Sequence, residues 1–235
     1  MLKEIDKNIW VAEQPLKYFG LSVGTKMTVI RLKSGKLVVI SPIKIDDLII
    51  KQLKEIGDVA YIIAPNIYHY LFISDFKSVY PLANLLAAPG FETKRPEIPI
   101  DRTLREGESW FEGEIEYLLF EGMKTFDLEN KLMNEVVFFH PKSSSLILTD
   151  TAFHFDESFP LVTQLTSRII GGYKKVSPSI LEKLATKEKE KVKQAVKKVL
   201  LWDFKRVIMA HGSIVENDAK RKFREGYEWF LNTSL

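Results

Sequence analysis

The chain has 235 residues, 46% of them apolar and 28% charged, a balance that excludes intrinsic disorder and is sufficient for a sizeable buried core. Its 34 basic and 31 acidic side chains leave a formal charge of +3, well short of the concentrated positive field that holds phosphate backbones, so no nucleic-acid partner is expected. The absence of cysteine removes disulfides, thiolate metal ligands and a cysteine nucleophile, and favours a reducing, cytoplasmic location.

Residues 1–6 have neither a cationic nor an apolar leader region, and no apolar run reaches membrane-spanning length, so no membrane partner is expected either. Residues 8–13, 27–32 and 37–40 are rich in Val, Ile and Trp and read as strands, with Ser34-Gly35 as a hairpin turn. Asp46 and Asp47 then introduce Leu48, Ile49, Leu53 and Ile56 at helical spacing, and Gly57 stops that helix. Residues 59–64 form an almost continuous apolar run, the mark of a strand buried on both faces. Pro65-Asn66 ends the strand before a helix over about residues 70–79. Residues 85–88 read as another buried strand and the proline-rich 90–99 as an extended connection.

A second group of strands is predicted at 107–111, 115–120, 135–140 and 146–149, with turns at Glu112-Gly113 and at 141–144. Gly171-Gly172 reads as a helix stop or a hinge. Ser177-Pro178-Ser179 caps a long helix whose apolar stripe is Leu181, Leu184, Val192, Ala195, Val196 and Val199, with the charges of 187–191 on its solvated face. Residues 206–210 form a buried strand, and a closing helix from 217 onward carries Phe223, Tyr227 and Phe230 at helical spacing. Two meanders, each followed by α/β alternation, imply two sheets packed face to face with helices outside, in a single domain over 1–235.

His69 and His211 follow buried strands, as does Asp150, and in α/β layers such strand-end loops converge on a crevice. Two imidazoles and a carboxylate are a conventional ligand set for zinc or iron(II). If the 141–144 turn centres on Lys142-Ser143, Glu135 pairs opposite Asp150, and the two carboxylates repel unless a cation lies between them. A slip of one residue would undo this pairing. The same register puts His140 at the far end of the hairpin, and His154 reads as part of an aromatic cluster, Phe153-His154-Phe155. Each residue also has a plainer reading: the histidines as hydrogen-bonded core groups, and Asp150 as the cap of the turn before Thr151. There is no Gly-x-Ser-x-Gly elbow, P-loop or Gly-x-Gly-x-x-Gly element to anchor serine or nucleotide chemistry.

The runs IWVAEQPLKYFGLSVGTKMTVIRL, APNIYHYLF, NEVVFFHPKSSSLILTD and LLWDFKRVIMAHG, in this order, resemble an uncharacterised, domain-of-unknown-function branch of the metallo-β-lactamase superfamily over nearly the whole chain. The resemblance implies a four-layer αββα sandwich. Where the superfamily's first metal loop reads His-x-His-x-Asp-His, this sequence has Pro65-Asn66-Ile67-Tyr68-His69-Tyr70, with one histidine. A further ligand histidine is implied between about Met123 and Lys131, where none stands; Asp150 and His211 match the bridging aspartate and final histidine. A dinuclear centre needs about five or six protein ligands. The resemblance therefore implies at most one divalent metal, zinc or iron, on His69, Asp150 and His211 with Glu135 as a candidate fourth, or no metal at all.

Three functions fit: a hydrolase with a reduced metal site, a non-catalytic descendant that binds a small molecule or a protein partner, and a hydrogen-bonded core with no ligand. Asn66, Tyr68, Tyr70 and Phe153, with Phe72, are the expected crevice-lining residues. Aromatic surface also leaves a homo-oligomer open.

Overall fold

The computed structural model describes residues 1–125 and 132–235. The chain opens with β1 (Lys3–Asp6) and β2 (Ile9–Gln14), makes a small hairpin of β3 (Lys17–Tyr18) and β4 (Leu21–Ser22), and returns as β5 (Thr25–Arg31) and β6 (Lys36–Ile40). It then alternates through α1 (Asp47–Ile56), β7 (Asp58–Ala64), α2 (Ile73–Val79), β8 (Asn84–Ala87), α3 (Phe91–Lys94) and β9 (Arg102–Thr103). The second half contains β10 (Glu116–Phe120), β11 (Glu135–His140), β12 (Ser145–Leu148), α4 (Leu161–Ile170), α5 (Ile180–Ala185), α6 (Lys189–Val199), β13 (Arg206–Met209) and α7 (Ala219–Leu231).

One sheet runs β1-β2-β5-β6-β7-β8-β9, antiparallel as far as β6 and parallel from there. The other runs β10-β11-β12-β13, with β12 and β13 parallel. Because side chains alternate across a strand, each apolar strand feeds two layers at once. Val38 and Ile40 of β6 point between the sheets, against Val136 and Phe138 of β11. Leu37 and Val39 point the other way, onto Ile49 and Leu53 of α1. Val137 and Phe139 of β11 likewise point outward, to Val192 and Val196 of α6 and Phe223 and Tyr227 of α7. The result is helices, sheet, sheet, helices, with the central apolar layer holding the two sheets together.

Several elements differ from the sequence expectation. Residues 107–111 are not a strand: Gly107 and Phe111 both have positive φ, and a short 3-10 turn spans Phe111–Gly113. The connection at 90–99 contains the short helix α3. The expected long helix is broken in two, α5 ending at Ala185 and α6 beginning after Glu188, and Leu184 of the supposed apolar stripe is exposed. Helix α4 has an inverted pattern, burying Thr163, Gln164 and Ser167 while exposing Leu161, Val162, Leu165 and Ile169. Gly171 stops it.

Gly226, in the middle of α7, is where the second sheet's cover is tightest: a Cβ there would lie 1.9 Å from the Val176 carbonyl oxygen. Helix propensity alone would make Gly226→Ala stabilising by about 1 kcal/mol. The clash reverses the sign, and we expect a net loss of about 1–3 kcal/mol in urea unfolding. An unchanged or raised midpoint would show that α7 packs less closely on the 176–177 segment.

Candidate functional site: two imidazoles around one buried carboxylate

Three carboxyl-terminal strand ends meet at one point. β7 leads into the loop carrying His69, β12 into Asp150, and β13 into His211. His69 Nε2 lies 3.2 Å from Asp150 Oδ2, and His211 Nε2 lies 3.4 Å from Asp150 Oδ1. One ligand atom from each of the three residues lies within 4.8 Å of the others. The Pro65 carbonyl accepts the Val136 N–H at 2.8 Å, which ties the His69 loop to the second sheet.

The β11–β12 register pairs Phe138 with Ile147 and His140 with Ser145, and three further steps along both strands from the Phe138–Ile147 pair place Glu135 opposite Asp150. Glu135 is fully buried and lies outside the His69–Asp150–His211 cluster. Its carboxylate accepts the backbone N–H groups of Thr149 at 2.8 Å, Asp150 at 2.6 Å and Thr151 at 3.1 Å, together with the Thr151 hydroxyl at 2.7 Å. Between the two carboxylates sits the Asn66 side-chain amide. Its Nδ2 donates to Asp150 Oδ2 at 2.8 Å and approaches Glu135 Oε2 at 3.2 Å, while its Oδ1 accepts the N–H groups of Tyr68 and His69. Asn66 therefore connects the His69 loop to the Asp150 turn. It is wholly buried beneath the crevice and does not line it.

Burial resists ionisation of Asp150, but the two imidazoles outweigh it and hold the carboxyl well below its usual range. Burial and the neighbouring Asp150 push Glu135 the other way, upward. Burial opposes a charged His211; its bonds to Asp150 and to the Gly24 carbonyl prevail and raise its pKa.

The outward-facing ring nitrogens decide what the inner ones can do. His211 Nδ1 is 2.6 Å from the Gly24 carbonyl oxygen, which has no proton to give, so Nδ1 carries the hydrogen. Its Nε2 then faces a carboxylate either as the second N–H of an imidazolium or as a lone pair directed at a cation. His69 Nδ1 is held at 2.7 Å by the Ser41 hydroxyl. Each imidazole is thus oriented through its far nitrogen, the arrangement commonly found behind metal-bound histidines. Two oriented Nε2 atoms and a carboxylate fit a single zinc or iron(II) ion and fall short of a dinuclear centre.

The cluster forms the floor of a cavity of about 350 Å³. Tyr68, Tyr70, Phe72 and Phe153 line this cavity, and the Phe153 ring lies 6.4 Å from that of His211. His140 is remote, bonded to Ser143, and His154 is buried, its carbonyl accepting the Ser213 N–H. Sequence reasoning missed Ser41, at the end of β6, although its strand-end position is the same signal that marked His69. It also missed Lys26, a buried ammonium that donates to the Gly212 carbonyl at 2.9 Å and pairs with Glu13. Of the stretch implied to carry another ligand, residues 126–131 lie outside the described residues.

Two layers of sheet between two layers of helix, with a cluster of strand-end side chains at one edge, are the architecture of the metallo-β-lactamase fold, and solved structures agree. The DIM-1 metallo-β-lactamase is similar with a TM-score of 0.67 at 14% identity, over 97% of each chain. A metallo-β-lactamase from Pontibacter korlensis gives 0.64 at 11% identity, over 97% of this chain and 98% of that one. The metal-soaked Flv1 flavodiiron core from Synechocystis gives 0.68 at 12% identity, over 99% of this chain and 60% of that one. Within this fold the chain belongs to the family described as a domain of unknown function (DUF4336), whose model matches residues 6–172. The matched span includes His69, Glu135 and Asp150 and ends before His211. No curated protein matches the chain.

The Glu135 network makes the site's support testable. Glu135→Gln places an NH2 where backbone donors converge, leaving at least one buried N–H unpaired, at a cost of about 1–3 kcal/mol in chemical unfolding. Equal stability of the two proteins would mean that the Asp150 turn holds itself.

Proposed function

We propose that this protein is a hydrolase whose site holds one divalent transition metal, zinc or iron(II), through His69, Asp150 and His211. The observation that carries the reading is the orientation of the two Nε2 atoms, each fixed from behind and each facing the same carboxylate. The names of the neighbouring structures, metallo-β-lactamases and a metal-soaked flavodiiron core, add support. When bound, such an ion supplies Lewis-acid chemistry, polarising a carbonyl or phosphoryl oxygen and lowering the pKa of water. The chain's own residues supply the rest. Ser41 and the Gly24 carbonyl hold the imidazoles in place, Asn66 and Glu135 hold Asp150, and the aromatic and aliphatic walls exclude bulk water. Esters, thioesters and phosphoesters are the substrate classes that this chemistry reaches, in a cytoplasmic setting.

A second reading rests on the same distances. At 3.2 and 3.4 Å the triad is also closed by protons alone, with Asp150 shared between imidazole N–H groups. In that case the protein is a non-catalytic, metal-free descendant of the fold that binds a small molecule.

Elemental analysis of protein purified without chelator separates the two. We expect about one equivalent of zinc or iron per chain, lost in His211→Ala and Asp150→Asn. At a zinc concentration about a hundredfold above Kd, the wild-type protein should gain about 2.7 kcal/mol of stability and the variants nothing. Less than about a tenth of an equivalent of any transition metal, with no stabilisation by added zinc, would overturn the hydrolase reading.

A further inference from the structure

The walls of the cavity differ in chemistry from its floor. Val23 after β4, Phe72 before α2, Phe153, Phe155, Ile170 of α4 and Leu181 of α5 present hydrocarbon to the space. Five of the hydroxyls that share these walls are engaged elsewhere in the chain. Thr163 donates to the Ser22 carbonyl, Ser167 to the Gln164 carbonyl, and Tyr68 and Thr125 bond each other. Ser179 and Glu182 are closed into a capping box at the start of α5. A sugar or nucleotide in this space would leave its own hydroxyls unpaired against apolar walls, which is costly. An unbranched hydrocarbon would not.

The apolar surface continues out of the mouth. Tyr18 and Leu71 line the cavity and are also more than half exposed. Phe19 stands edge-on to Tyr18 with 85% of its surface in solvent, at a hairpin tip where its φ of 46° is a conformation that bulky residues rarely adopt. The polar groups of the site, by contrast, gather at one end on His69, Asp150 and His211.

We propose that this site takes an amphiphile with an unbranched acyl tail, an acyl ester or thioester, its tail lying between the β3–β4 hairpin and α4 and its carbonyl end on the imidazole–carboxylate floor. This assignment names the substrate class of the hydrolase reading and rests on it for the turnover of the ester. The tail-binding part stands on the cavity walls alone. A volume of about 350 Å³ is at the small end for ligand sites, so the site should accept medium tails and reject long ones.

The test uses unreactive carbonyl analogues, the unbranched methyl ketones from methyl ethyl ketone to methyl nonyl ketone, titrated calorimetrically into the full chain with zinc and with chelator. Affinity should rise about fourfold per added methylene until the cavity is full, then level off. Ile170→Trp and Val23→Trp, both at half-buried wall positions, should move that plateau to shorter tails. Their unfolding midpoints should stay near that of the wild type, which serves as the control for folding. Affinity independent of tail length in both metal states would overturn the proposal. So would an unmoved plateau in both tryptophan variants when they are folded. A tail-length slope that persists with chelator supports the site even if no metal is ever bound, whereas zinc binding with a flat slope removes this inference and leaves the hydrolase reading.

Discussion

The site depends on a buried carboxylate that faces backbone. Glu135, at the start of β11, is fully buried, and three successive N–H groups of the chain leaving β12 converge on it. A lone buried charge costs several kcal/mol, and a set of charge-assisted hydrogen bonds is what makes such burial tolerable. The consequence is geometric. Thr149, Asp150 and Thr151 are fixed in a tight turn, and the Asp150 side chain is aimed at the crevice. Tyr227 of α7 closes the same turn from outside, its hydroxyl donating to the Thr151 carbonyl at 2.5 Å.

From that turn the remainder of the site follows. Asp150 attracts both imidazoles, and Asn66 fastens the His69 loop to the same point. Gly212 allows the chain after β13 to pass close to His154: its φ is +104°, and a Cβ would fall 2.2 Å from the His154 carbonyl oxygen. His211 is thereby held between β13 and the Gly24 carbonyl. Lys26, reaching the Gly212 carbonyl from β5, braces the turn from the first sheet. The floor is thus assembled from both sheets, and neither half of the chain could form it alone.

Much of this was legible in the sequence, for identifiable reasons. The apolar runs of β6, β7, β11 and β13 are those of strands covered on both faces, and the four-residue turn at 141–144 set the hairpin register that brings Glu135 opposite Asp150. The convergence of His69, Asp150 and His211 followed from strand ends in α/β layers. The meaning of the Glu135–Asp150 pair did not. Two like charges suggested a cation between them, whereas the space is taken by the Asn66 amide, and Glu135 spends its oxygens on backbone donors that no sequence pattern reveals. Helix α4 was missed because its apolar residues face solvent and its polar residues face inward, the reverse of what periodicity assumes. The break between α5 and α6 was missed because apolar spacing runs on through Leu181 and Leu184 to Val192 although the chain turns at residues 186–188. Ser41 and the Gly24 carbonyl escaped notice because neither belongs to a residue type that advertises itself.

In the proposed metal site, Asp150 and the two histidine Nε2 atoms form one ligand set. X-ray absorption at the zinc edge of the zinc-loaded protein tests it most directly. Two imidazole nitrogens and carboxylate oxygen should surround the metal at about 2.0–2.2 Å, with one imidazole lost in His69→Ala. A spectrum without imidazole scattering, or one unaltered by removing His69 and His211, would contradict it.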